Sequence, residues 1–185
     1  MTSGATVEGD DRLRLFLALQ LPAETLDVLE RWRDEHLADG RALDRASLHV
    51  TLAFLGSRPA GDLPAIVGAL RDAAAATEPP PLEPDRWRET RSVGMIVLRD
   101  PTGEATGLAT RLHGRLFRLG VYRPEARPWL PHLTVLRFRS RPRLRPPLPE
   151  TGTFVPSGAA AYLSRLHPSG ARYEVLERVS LNAGG

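Results

Sequence analysis

Two histidines and two threonines stand in the same short pattern at two places in this chain. SLHVTLAFLG contains His49 and Thr51, and LPHLTVLRF contains His132 and Thr134. Each copy reads His, one apolar residue, Thr, one apolar residue. On a β-strand successive side chains point to opposite faces. Each His therefore shares a face with its own Thr, while Val50, Leu52, Leu133 and Val135 turn toward a core. If the two strands face one cleft, two imidazoles and two hydroxyls converge. Imidazole titrates near neutrality, so one ring can accept a proton while the other donates one. Threonine hydroxyls can donate to the non-bridging oxygens of a phosphate. The set suits phosphate-ester chemistry without a metal, because two histidines lacking a third His or a carboxylate make a poor zinc site. The other histidines differ: His36 lies late in a helical segment, His113 among leucines in mid-helix, and His167 in a turn.

The pattern recurs inside a longer repeat. LRLFLAL (13–19) reads as a buried strand, 23–38 as a helix and LHVTLAFL (48–55) as the strand that carries His49 and Thr51. Residues 94–99, 102–119 and 132–138 repeat the order strand, helix, strand, offset by about 80 residues. A further helix is expected over 63–76, and strands over 86–100, 153–163 and 172–181. TEPPPLEP (77–84), with four prolines, is expected to be an irregular connector between the halves. RSRPRLRPPLP (139–149) is expected to be a loop, either solvated or steering a polyanion. Short strands joined by helices suggest an α+β fold. Residues 1–11 are expected to be a loose polar tail, and 12–185 one domain.

Composition narrows the chemistry. All 25 Lys+Arg residues are arginine. Residues 1–105 hold 12 Arg against 18 acids, and residues 106–185 hold 13 Arg against 4 acids. A basic half attracts polyanions, and arginine's planar fork of donors suits phosphate. Zero cysteine removes disulfides, thiolate metal sites and a cysteine nucleophile. No run is long and apolar enough for a membrane span, and the first ten residues lack the apolar stretch of a signal peptide. The expectation is a cytoplasmic protein.

With these residues in view, the sequence resembles the two-histidine phosphoesterases, in the branch of RNA 2′,3′-cyclic phosphodiesterases once called 2′–5′ RNA ligases. RLFLALQLP (14–22), SLHVTLAFLG, RPWLPHLTVLRF and LSRLHPSGARYEVLERVSL (163–181) carry the likeness. The resemblance implies a bilobal, pseudo-twofold fold, with small antiparallel sheets lining a central cleft and helices outside. It implies hydrolysis of 2′,3′-cyclic phosphate RNA ends to 2′-phosphate ends; the residues themselves call for no cofactor and no metal, and the protein is expected to act as a monomer. His49 and His132 are the implied catalytic pair, His132 as base and His49 as acid. Thr51, Thr134 and Arg137 are the implied phosphate ligands. Arg137 lies five residues after His132, so strict alternation turns it away from the cleft unless the strand ends or bulges near Leu136. Phe54 holds the matching place in the first motif, where the resemblance implies base stacking and plain core packing is the other reading. The tryptophan and proline pair that often precede the first motif are absent from GRALDRASLH (40–49). The other functions left open are an RNA-end-binding module without turnover, or action on another cyclic phosphate or a 2′–5′ linkage.

Overall fold

The computed structural model describes residues 11–38 and 40–182. The tail expected over 1–11 lies outside them except for Asp11, whose carbonyl accepts the Ala60 N–H at 2.7 Å and so is tied to the fold.

The first copy of the repeat is β1 (Arg12–Gln20), α1 (Ala23–His36) and β3 (Val50–Pro59), with a two-residue strand β2 (Arg41–Ala42) before β3. After α2 (Leu63–Ala75) and β4 (Glu83–Glu89), the second copy is β5 (Val93–Arg99), α3 (Glu104–Arg118) and β6 (His132–Arg137). A hairpin of β7 (Gly158–Arg165) and β8 (Arg172–Val179) closes the chain. The strand order is β4-β5-β6-β3-β1-β7-β8, with β2 paired to β6 and every pairing antiparallel. The two copies thus meet at β3 and β6, whose ladder is the single pair Val50↔Leu133. The small sheets expected from the resemblance are joined at this one point into a continuous eight-stranded sheet.

One face of that sheet carries the helices. Leu15, Leu17 and Leu19 of β1 enter a core shared with all three helices, while Phe16 and Ala18, pointing the other way, join Ala160 and Tyr162 in a smaller cluster. Burial on both faces is why β1 is continuously apolar from Leu15 to Leu19. On α3, Leu108, Leu112 and Leu116 fall at four-residue spacing and are fully buried. Each such leucine stabilises the fold by about 1.5–3 kcal/mol. The helices cross between copies: Trp32 of α1 lies 6.3 Å from Trp87 of β4, and His113 of α3 bonds the Leu52 carbonyl of β3 at 2.7 Å. His113 is therefore a positioned boundary residue on the helical side.

The proline-rich stretch departs from the expectation of an irregular connector. Leu82 exchanges two 2.8 Å backbone bonds with Phe154, and β4 already begins at Glu83 and includes Pro84. Strand β4 is a sheet edge, and its register slips between Pro84 and Arg86. An edge position with a bulge tolerates a residue lacking an N–H.

Candidate active site

Strands β3 and β6 bring the two motifs together. Around the pair Val50↔Leu133, antiparallel geometry sets His49 opposite Thr134 and Thr51 opposite His132. Val50 and Leu133 are buried behind them. All four polar side chains line one cleft of about 390 Å³, together with Arg137 and Phe54.

A bulge follows each Thr at the same place. In β6, Met95 of β5 pairs with Thr134 and Gly94 pairs with Leu136, so Val135 is the extra residue. In β3, Ala18 pairs with Thr51 and Leu17 with Ala53, so Leu52 is extra. An extra residue reverses the alternation beyond it. Val135 and Leu136 are both buried, and Arg137 emerges into the cleft. Phe54 emerges likewise after Leu52 and Ala53 and is 49% exposed. Cleft placement excludes the core-packing reading of Phe54.

The two histidines sit in different surroundings. Nδ1 of His132 lies 2.8 Å from the Leu130 carbonyl. A carbonyl only accepts, so Nδ1 carries the proton and Nε2 is left for the cleft. His49 packs against Phe16, Tyr173 and Tyr162, at 4.8, 5.5 and 5.8 Å between ring centres. One edge of its ring opens into the cleft, but Nδ1 is buried without a hydrogen bond. Burial, then the charges of His132 and Arg137, lower its pKa from 6.5 to about 4, against a smaller opposing pull from the Ser47 carbonyl. In the empty cleft His49 is neutral at pH 7.

No protein partner engages the hydroxyls of Thr51 and Thr134 among the described residues, and none pairs with Arg137 there. The Thr51 carbonyl accepts the Trp129 indole N–H at 3.1 Å, which ties β3 to the segment leading into β6. Among the described residues no three His, Asp or Glu side chains gather as a metal site. No helix there is long and apolar enough to cross a membrane.

Sequence reasoning missed several lining residues. Arg14 holds its guanidinium 4.8 Å from the Phe54 ring centre, and Phe16, Ser164 and Tyr173 complete one wall. The signal for Arg14 was a charge inside the apolar run 13–19. Tyr173 gave none, because its wall depends on how β8 pairs with β7. The arginine-rich loop is placed away from the cleft. Glu89 and Trp87 lie on the helical face of β4, opposite Arg88. The Glu89 carboxylate accepts the backbone N–H groups of Leu144 at 2.7 Å and Arg143 at 3.0 Å, and the Arg141 side chain at 3.0 Å. Trp32 donates to the Pro147 carbonyl at 2.7 Å.

The chain is similar to known proteins over most of its length. The model of the 2′–5′ RNA ligase superfamily matches residues 20–167. An RNA 2′,3′-cyclic phosphodiesterase of Escherichia coli (strain K12) is 30% identical over 173 residues, covering 91% of this chain and 96% of that protein. The crystal structure of E. coli LigT complexed with 3′-AMP superposes with a TM-score of 0.79 at 28% identity, over 93% of this chain and 99% of that one. TT0787 of Thermus thermophilus superposes with a TM-score of 0.75 at 29% identity, over 93% and 100% of the two chains.

Proposed function

Because the chain belongs to the 2′–5′ RNA ligase superfamily, we propose that it hydrolyses RNA 2′,3′-cyclic phosphate ends to 2′-phosphate ends by two-histidine acid–base catalysis. The observation that carries the reading is the pair of His-x-Thr motifs, each followed by a bulge at the same position, with all their polar groups in one cleft.

Water attacks phosphorus in line with the 3′ oxygen. Its proton passes to Nε2 of His132, whose Nδ1–H is anchored on the Leu130 carbonyl. As the P–O3′ bond breaks, His49 gives its proton to the 3′ oxygen, leaving a 3′-hydroxyl and a 2′-phosphate. The next turnover requires His132 to lose its proton and His49 to regain one. Thr51, Thr134 and Arg137 donate hydrogen bonds to the non-bridging oxygens, which gain charge in the transition state. Phe54 offers an aromatic wall to the terminal base.

His49 starts neutral, so a donor role needs a source of charge. The negative cyclic phosphate supplies it. Placed beside His49, it opposes what lowers that pKa, burial first and then positive neighbours, of which Arg137 stays charged while His132 serves as the neutral base. Substrate thus loads the acid that it consumes. His132 is the better-placed base because its Nδ1–H is fixed on the Leu130 carbonyl, which leaves Nε2 for the cleft.

The reading takes residues 12–185 as one bilobal working unit, acting as a monomer in the cytoplasm on RNA ends. The test is direct. Purified protein is incubated in EDTA with a short RNA ending in a 2′,3′-cyclic phosphate, and the product end is identified. A 2′-phosphate is expected. An intact cyclic end, or turnover only after a divalent metal is added, overturns the proposal.

A further inference from the structure

At the rim of the cleft, Arg41 and Arg137 stand directly opposite each other where β2 pairs with β6. The next pair, Ala42↔Leu136, turns into the core, so the two arginines share the outer, cleft-side face. Both are exposed, and neither has an acidic partner among the described residues. Like charges directly opposite on a ladder destabilise it. The fold nonetheless enforces this pairing. Gly40, at φ 88°, approaches so closely that a Cβ there would lie 2.9 Å from the Arg137 carbonyl oxygen, so only glycine brings β2 to this register.

The far end of Arg41 is placed as well. Its guanidinium occupies the space that a side chain at Gly170 would fill, in the turn between β7 and β8. The neighbouring Leu166 and Ala171 line the cleft, as does Arg137, whereas Arg41 does not. Arg41 therefore bridges from one lobe to the hairpin of the other just outside the walls of the catalytic cleft.

We propose that Arg41 binds the internucleotide phosphate next to the cyclic end, making the protein favour an RNA strand over a single nucleotide. The inference rests on the phosphodiesterase reading. A second phosphodiester oxyanion between the strand pair and the hairpin offsets the repulsion between the two arginines, and a guanidinium is suited to bind it. A mononucleoside 2′,3′-cyclic phosphate has no such group and leaves Arg41 unused.

The experiment compares wild type, Arg41→Gln and Arg41→Lys on a mononucleoside 2′,3′-cyclic phosphate and on a short oligoribonucleotide with the same cyclic end. Arg41→Gln is expected to raise KM for the oligonucleotide about 5–10-fold with kcat unchanged, and to leave the mononucleotide kinetics as in wild type. Arg41→Lys should recover part of the loss. A second arm needs no turnover: binding of a 5′-labelled oligoribonucleotide ending in a 3′-phosphate is followed by anisotropy against salt. Arg41→Gln should weaken it and lower the slope of log K against log salt by about 0.7. Equal losses on both substrates would place Arg41 on the scissile phosphate, and no loss in either arm would make it a surface charge; each overturns the inference. If wild type hydrolyses neither substrate, the phosphodiesterase reading has failed, and the binding arm still decides for or against Arg41.

Discussion

His49 and His132 differ in surroundings more than in position, and that difference makes their roles measurable. Positioned acid–base groups each contribute about 10²–10⁴-fold. His49→Ala and His132→Ala are each expected to lower kcat by that range on a cyclic-phosphate substrate. The double variant should fall far less than the product of the two, since the groups act as a unit. A single variant retaining more than about half of wild-type turnover would remove that histidine from the chemistry. The pH profile tests the loading of His49. Its pKa in the empty cleft is about 4, lowered by burial and by its cationic neighbours. A cyclic phosphate stays anionic throughout the working range, and its charge raises that pKa once bound. The profile of kcat/KM reports free protein and that of kcat reports the complex. The descending limb of kcat should therefore lie at higher pH than that of kcat/KM. Coincident limbs would mean that bound phosphate does not charge His49.

Among the elements, the bulges and the arginine-rich loop decide what reaches the cleft. Alternation from His132 reaches Thr134 correctly and then fails, because Val135 is an extra residue. The likeness between the motifs was legible in the sequence, and so was the need for a bulge before Arg137. Its place at Val135, matched by Leu52, was not, since a bulge is set by what the neighbouring strand offers. The proline-rich stretch misled for a related reason: only the sheet order reveals that Pro84 sits on an edge. The loop 139–149 gave no sign of its anchor, because Glu89 lies some fifty residues earlier and is drawn in by packing. Its side chain is 2% exposed. Burial raises its pKa, but the Leu144 N–H, Arg141, Trp87 and the Arg143 N–H outweigh this, and the net shift is downward. Its contribution to stability is thus present above its ordinary pKa of 4.5 and is lost as pH falls below it. Arg143, held at φ 56°, depends on this anchor. Glu89→Gln keeps the shape but loses the charge. It is expected to cost about 1–3 kcal/mol, read as a lower Tm in thermal unfolding. Turnover of a mononucleotide cyclic phosphate should stay within about twofold of wild type. A collapse of kcat at unchanged Tm would show that Glu89 acts on the cleft.

For the whole molecule, the fold sorts the arginines into groups with different reach. The sheet is one layer, with helices and the loop 139–149 on one face and the cleft on the other. Arg137 stands at the cleft, and Arg41 at its rim. Arg141 is tied to Glu89, while Arg143 and Arg145 alternate with Leu144, which packs on the core from the helical side. The net charge of +3 attracts RNA only weakly as a sum, so placement matters more than count. Packed layers are about 10 Å apart, and the screening length at physiological salt is about 8 Å. A charge behind the sheet is therefore largely screened from RNA in front of it. Replacing Arg143 and Arg145 together by Gln should change KM for an oligoribonucleotide less than about twofold at roughly 0.15 M salt, with kcat unchanged. At low salt a modest rise in KM is expected as screening weakens. Arg137→Ala should behave oppositely. Its hydrogen bonds strengthen as charge builds on the phosphate oxygens, so kcat should fall at every salt concentration and with saturating substrate. Steady-state kinetics of both variants across a salt series separate the two behaviours. A loop variant that loses affinity at physiological salt would mean that RNA wraps around the β4 edge onto the helical face. An Arg137 variant whose defect disappears at high salt would leave the phosphate to Thr51, Thr134 and the histidines alone.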